Sequence, residues 1–262
     1  MFAYEFMQRA FIVAVCISII TPLIGSIIVL KGLSNMGEAL SHTALAGITL
    51  GLILGIDPII GAVCFALLAA FSIEFISRWF KGFSEMSTTI VLSTGIGLAS
   101  ILSGFVKNAS TLNSYMFGSI VAVTPLEVWL TLGLSLVVIL IYLLNYKNLF
   151  MISFDSEFAR LSGVKIKRTN FIIMICCAIT VALACRTVGA LIVSSLMVIP
   201  VACSFKLAKS YKHAILLAIL FAFMFTILGL TISFYCNVKP GGAIVLIGVA
   251  VLVLLSLVKK DN

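Results

Sequence analysis

Charge is scarce in this chain. Only 17 Lys and Arg and 9 Asp and Glu stand among its 262 residues, while 62% of the residues are hydrophobic. That balance excludes a soluble domain, and no polar stretch is long enough to fold apart from the rest. Histidine is limited to His42 and His213 and no HExxH order occurs, which argues against a metallohydrolase. No GxxxxGK[ST] segment is present, so the chain brings no P-loop of its own. Seven cysteines lie in or beside apolar runs without CxxC spacing and read as small buried hydrophobes. The formal charge of +8 is spread over separate segments without interleaved surface aromatics, so nucleic acid is not the expected partner.

What the chain has in quantity is apolar sequence in runs of membrane-crossing length. Mean hydropathy is +1.27, and runs of about 20 residues, enough to cross a hydrocarbon core of about 30 Å, recur from end to end. The expected spans lie near 10 to 30, 36 to 55, 58 to 77, 87 to 106, 125 to 145, 170 to 185, 187 to 205, 213 to 234 and 241 to 258. That makes an all-α polytopic bundle in a single domain, 1 to 262. The two runs beside Arg186 are short for a full crossing, so eight spans compete with nine and a broken or re-entrant pair stays open. Basic residues test the count, because cytoplasmic loops carry an excess of Lys and Arg. Nine spans put Lys31, Arg78, Lys81, Lys147, Arg160, Lys165, Lys167, Arg168, Lys206, Lys209, Lys212, Lys259 and Lys260 on one side, and Arg9, Lys107, Arg186 and Lys239 on the other. The expectation is an amino terminus outside and a carboxyl terminus in the cytoplasm.

Within this apolar frame, Gly37 to Gly47 places an acid and an imidazole inside a span. Glu38 and His42 stand at i and i+4 and project from one helix face. Carboxylate oxygen and imidazole nitrogen suit zinc or manganese, while a helix-start Glu beside a packed His is the plainer alternative. Ionisable groups inside a span are costly and mark transport paths by default. Thr43, Gly47, Gly51 and Gly55 form a small-residue stripe about 100° round the same helix, a packing seam. Thr43, and polar residues on other spans, Ser93 and its neighbours on the fourth and Ser194 and Ser195 on the seventh, are candidates to line the path. Proline interrupts the first and seventh candidates at Pro22 and Pro200.

The longest charged segment runs from 147 to 168 on the basic side. Phe154 to Gly163 reads there as a short amphipathic helix ended by Gly163. Asp155, Ala159 and Gly163 share a face, and Phe154, Phe158 and Leu161 form an apolar patch suited to a membrane surface or to a partner's groove.

Five stretches in series resemble one family: Gly37-Glu38-Ala39-Leu40-Ser41-His42, the loop from Tyr115 to Val123, Asp155-x3-Ala159-x3-Gly163, the run from Val188 to Ala202, and Pro240-Gly241-Gly242-Ala243. Together they are similar to the zinc/manganese permeases of bacterial ABC importers, a type II importer fold related to the vitamin B12 importer permease. The resemblance implies a plasma-membrane homodimer of permease subunits, a cytoplasmic ATPase that binds the ATP, and an extracellular metal-binding protein that delivers the ion. It places Glu38 and His42 at the family's transient metal pair, with no permanently bound cofactor. Asp155, Glu157, Phe158, Ala159 and Gly163 fall on its ATPase-contacting coupling helix. Asn237 and Ser119 depart from acids or amides frequent in the family, and Asn237 keeps only a carbonyl oxygen for the path. The run through Ala202 resembles the zinc branch more, with manganese or iron import and a self-sufficient proton-coupled transporter as the alternatives.

Overall fold

Helix boundaries in the computed structural model follow from a few capping residues; the structure describes residues 4–80, 84–119 and 123–258. Lys81, Lys259, Lys260 and the 120–122 part of the Tyr115 loop lie outside the described residues. Helix α1 (Glu5–Leu30) turns through Lys31 and Gly32 into α2 (Ser34–Leu54), which stops at Gly55 in the left-handed conformation, φ 71°. There a glycine escapes the Cβ penalty other residues meet. Helix α3 (Pro58–Ser77) starts on Pro58 behind Asp57, whose carboxylate accepts the Ile59 amide. Helices α4 (Ser84–Ser103) and α5 (Ala109–Phe117) follow, the latter capped by the Asn108 side chain. A reciprocal capping box, Thr124 with Glu127, starts the 30-residue α6 (Pro125–Phe154). A six-residue α7 (Ser156–Leu161) leads to α8 (Ile166–Ala184). Beyond α8 the chain does not break at Arg186 but continues through a π-helical turn, Cys185–Gly189. Three further helices complete it: α9 (Val193–Leu207), α10 (Tyr211–Cys236) and α11 (Pro240–Val258).

The helices share two ends. At one, the Tyr4 ring lies 6.3 Å from Phe234, and Gly118, Asn237 and Pro240 line one groove. Leu54, Gly55, Lys107 and Asn108 line another at the same end. At the other, basic end, Lys31 donates to the Asn170 side chain and Leu30, Phe154, Lys209 and Tyr211 surround a third groove. Burial pulls the Lys31 ammonium below its ordinary range, and the Glu74 carboxylate opposes that shift. Following these contacts, the chain passes between the ends nine times among the described residues. Eight of the helices are long and apolar enough to cross a membrane by length and composition. The exception is α9, with 15 residues, a length of about 22 Å. The expected short pair is therefore one long helical run, Ile166–Gly189, followed by one short helix.

Helix α1 sits at the centre, packed by α6, α8, α9 and α10, and α2 lies between α3 and α4. The small-residue stripe is the reason α2 fits there. Gly47 faces Gly61 so closely that a methyl group on either would run into the other's carbonyl, and Gly51 lies against Pro58. Backbone-to-backbone approach of this kind is how membrane helices gain dispersion contacts without a hydrophobic drive.

Candidate metal path and coupling surface

Glu38 and His42 are brought onto the open side of α2. Gly47, on the opposite face, is sealed against α3. On one flank Gly37 abuts Ser194 and Met197 of α9, and on the other Gly95 of α4 presses on the backbone of His42 and Thr43. Between these flanks Glu38 is exposed and His42 half-buried, although most of the helix is buried. The helix starts at Ser34, not at Lys31. Glu38 therefore lies about 6 Å and His42 about 12 Å along it, shallower than a helix beginning at Lys31 would place them. Two donors with different hardness, one turn apart, can hold a divalent ion loosely. Among the described residues no group of three or more His, Cys, Asp or Glu is assembled.

The other path candidates separate into three sets. Thr43 is buried and its hydroxyl donates to the Ala39 and Leu40 carbonyls of its own helix, 2.9 and 3.0 Å away. It packs in the seam against Gly95 of α4. Ser93 is exposed on α4, and Ser194 and Ser195 are half-buried at the start of α9 beside Gly37. Asn237 is at the opposite end, capping α10 in the left-handed conformation with φ 54°. There it shares a groove of about 350 Å³ with Ser119 and Ser233. Ser119 and Asn237, far apart in sequence, thus meet in one groove that carries Lys239 and no carboxylate among its lining residues.

The expected coupling segment does form a short helix, but a narrower one, Ser156–Leu161, with Phe154 closing α6. The Asp155 carboxylate caps α7 by accepting the Glu157 and Phe158 amides at 2.8 and 3.0 Å. Glu157 pairs with Arg160 at 3.3 Å. Gly163, φ 82°, ends the turn. Ala159 is 0% exposed and packs into its own chain, so it is not a contact surface, whereas Phe158 and Leu161 stand 58% and 82% exposed. The exposed apolar surface here is Phe154, Phe158 and Leu161.

One buried cluster escaped the sequence reading. Arg186, in the π-helical turn, pairs with Glu127 at 3.1 Å and lies over the Tyr115 ring, 4.3 Å from its centroid. Glu127 also accepts the Thr124 amide at 2.7 Å. The cluster ties α5, α6 and the turn together where Gly118, Gly189 and Gly241 pack backbone to backbone. The Thr124-x-x-Glu127 spacing was a readable capping signal, but nothing local marked that glutamate as buried.

Fold and site together define a class: a multi-pass helical permease with an acid and imidazole pair inside a span and a short capped helix at its basic end. Comparison with known proteins makes the class specific. The model of the ABC 3 transport family matches residues 3–260, and the chain belongs to that family. It is 36% identical over 256 residues to a "Probable metal transport system membrane protein" of Treponema pallidum, covering 97% of this chain and 96% of that one. It is 34% identical to the manganese import system permease protein ScaB of Streptococcus gordonii, covering 93% and 87%. The zinc uptake membrane protein ZnuB of Haemophilus influenzae is 28% identical, with 99% of each covered. Among solved structures, "PsaBC from Streptococcus pneumoniae in complex with Fab" superposes with a TM-score of 0.86 at 31% identity, covering 97% of this chain and 91% of that one. The chain is the permease of a bacterial metal ABC importer, and ATP hydrolysis belongs to a separate subunit.

Proposed function

We propose that Glu38 and His42 form the transient binding pair for the imported ion, a divalent zinc or manganese. The observation that carries this is their shared position on the one open side of α2. An ionised carboxylate there is tolerable only when hydrated, paired or metal-bound, and two donors bind weakly enough for the ion to leave. Zinc follows from the likeness of the Val188 to Ala202 run. Manganese is the second reading, favoured by the relative named for it at 34% identity against 28% for the one named for zinc. The donor set accepts both, since selectivity in such sites owes much to availability.

The open side of α2 also supports a homodimer, in which a second copy contributes its own pair. The proposed orientation puts the basic end in the cytoplasm, α7 against the ATPase, and the mouth of Asn237 and Ser119 toward an extracellular delivery protein. Uptake of radioactive zinc and of radioactive manganese, measured with Glu38→Gln and His42→Ala variants present at wild-type amounts, tests the site. Each variant is expected to lose uptake of the transported metal while delivery-protein binding persists. Wild-type uptake by both variants would make the pair structural and move the route to the Ser93 and Ser194 faces.

A further inference from the structure

A large groove lies away from the proposed metal path, between α3 and the first turns of α8 at the basic end, with a volume of about 870 Å³. That is within the range of small-molecule sites, about 300 to 1,000 Å³. Its wall is aromatic: Phe71 meets Phe171 across the two helices at 5.3 Å, and Phe75 meets Trp79 edge-on at 5.1 Å. These side chains are unprotected, with Trp79 69% exposed. The groove runs inward along α3 as far as Leu68, ten residues from Arg78 and thus about 15 Å up the span.

Cations gather at its open end. Arg78, Lys167 and Arg168 line it, with Glu74 as its one carboxylate. Glu74 lies 3.7 Å from Arg78 and so offsets that charge. Among the described residues Lys167 and Arg168 have no ion-pair partner, so the rim is net positive. An occupant must therefore carry negative charge at the helix ends and an apolar body that reaches Leu68 inside the hydrocarbon layer. A water-soluble anion has no use for the aromatic wall, and a soluble protein cannot reach Leu68. Basic pockets between spanning helices are a recurrent way to hold anionic lipid headgroups, and Trp at this level is a normal interface residue. We propose that the groove is a selective site for an anionic phospholipid, its phosphate on Lys167 and Arg168 and its acyl chains along Leu68, Phe71 and Phe75.

Trp79 supplies the probe. The chain has two tryptophans, so Trp129→Phe leaves Trp79 as the only one. The full chain carrying that change is reconstituted in bilayers containing brominated phosphatidylglycerol or brominated phosphatidylcholine at equal mole fraction. Trp79 quenching then gives the relative association of the two lipids. Each cation at the surface is worth about fivefold, so phosphatidylglycerol should be favoured by more than fivefold. Lys167→Gln with Arg168→Gln should erase the preference, and Lys167→Arg with Arg168→Lys should keep it. Soluble glycerol phosphate should not relieve the quenching. Equal quenching by the two lipids, or a preference that survives the glutamine pair, would overturn the proposal. So would the absence of quenching by either lipid, which would mean that protein covers the groove.

Discussion

Removing one partner from the Glu127–Arg186 pair should cost far more than removing both. The Glu127 and Arg186 side chains are 3% and 8% exposed, so Arg186→Met strands a carboxylate that keeps the Thr124 amide as its hydrogen-bond donor. Breaking a buried pair on one side costs about 3 to 5 kcal/mol, and loss of the stacking over Tyr115 adds about 0.5 to 2 kcal/mol. At about 2 to 4 °C per kcal/mol for chains near this size, the melting temperature should fall by roughly 10 °C or more. Adding Glu127→Gln keeps an oxygen acceptor for the capping box while removing the stranded charge. The double variant should therefore melt well above Arg186→Met alone. Thermal unfolding of the detergent-solubilised chain, run as a double-mutant cycle, reads the difference. If the two single losses simply add, the groups are uncoupled and the cluster does not hold the glycine junction in the way the geometry indicates.

Three further outcomes follow from the structure. Phe158→Asp with Leu161→Asp should abolish co-purification of the ATPase while permease amounts hold, whereas Ala159→Asp, placing a charge in a fully buried position, should reduce the amount of folded permease; the opposite pattern would restore Ala159 as the contact. Gly47→Leu should drive a side chain into the Gly61 backbone and lower stability by at least the 1 to 3 kcal/mol typical of overpacking, read as a loss of thermal stability; an unchanged melt would mean the α2–α3 seam is loose. In a chain freed of its seven native cysteines, an impermeant thiol reagent applied to intact cells should label Lys107→Cys and not Ser210→Cys; the reverse would invert the orientation.

The spans were legible because an apolar run of membrane length has few other uses, and the nine passes emerge from the same runs. The break at Arg186 was misplaced because hydropathy registers a charge as an interruption, while a π-helical turn carries the backbone straight through it. Helical spacing put Asp155, Ala159 and Gly163 on one face, but the helix is only Ser156–Leu161: Asp155 caps it in extended backbone and Gly163 ends the turn beyond it, both exposed, while Ala159 turns inward. Thr43 was read as polar, yet its hydroxyl is spent on its own helix. Polarity in a span shows chemical capacity; only packing shows where that capacity points. Glu127 and Arg186 are 59 residues apart, and a pairing at that range leaves no local pattern to read.

The placement of charge along the proposed route bears on how selection is divided between proteins. The mouth around Asn237 and Ser119 offers amide and hydroxyl oxygens and no acid among its lining residues. Neutral oxygen donors suit hard cations weakly and discriminate little among transition metals. The first carboxylate and imidazole within one helix of each other are Glu38 and His42, near the start of α2 at the basic end. An ion entering at the Asn237 and Ser119 groove would therefore meet no carboxylate and imidazole pair before the level at which Gly37 abuts the start of α9. On the proposed route, capture from dilute solution would have to occur before that groove, on a delivering protein, and Glu38 and His42 would contribute a shallow well with two donors.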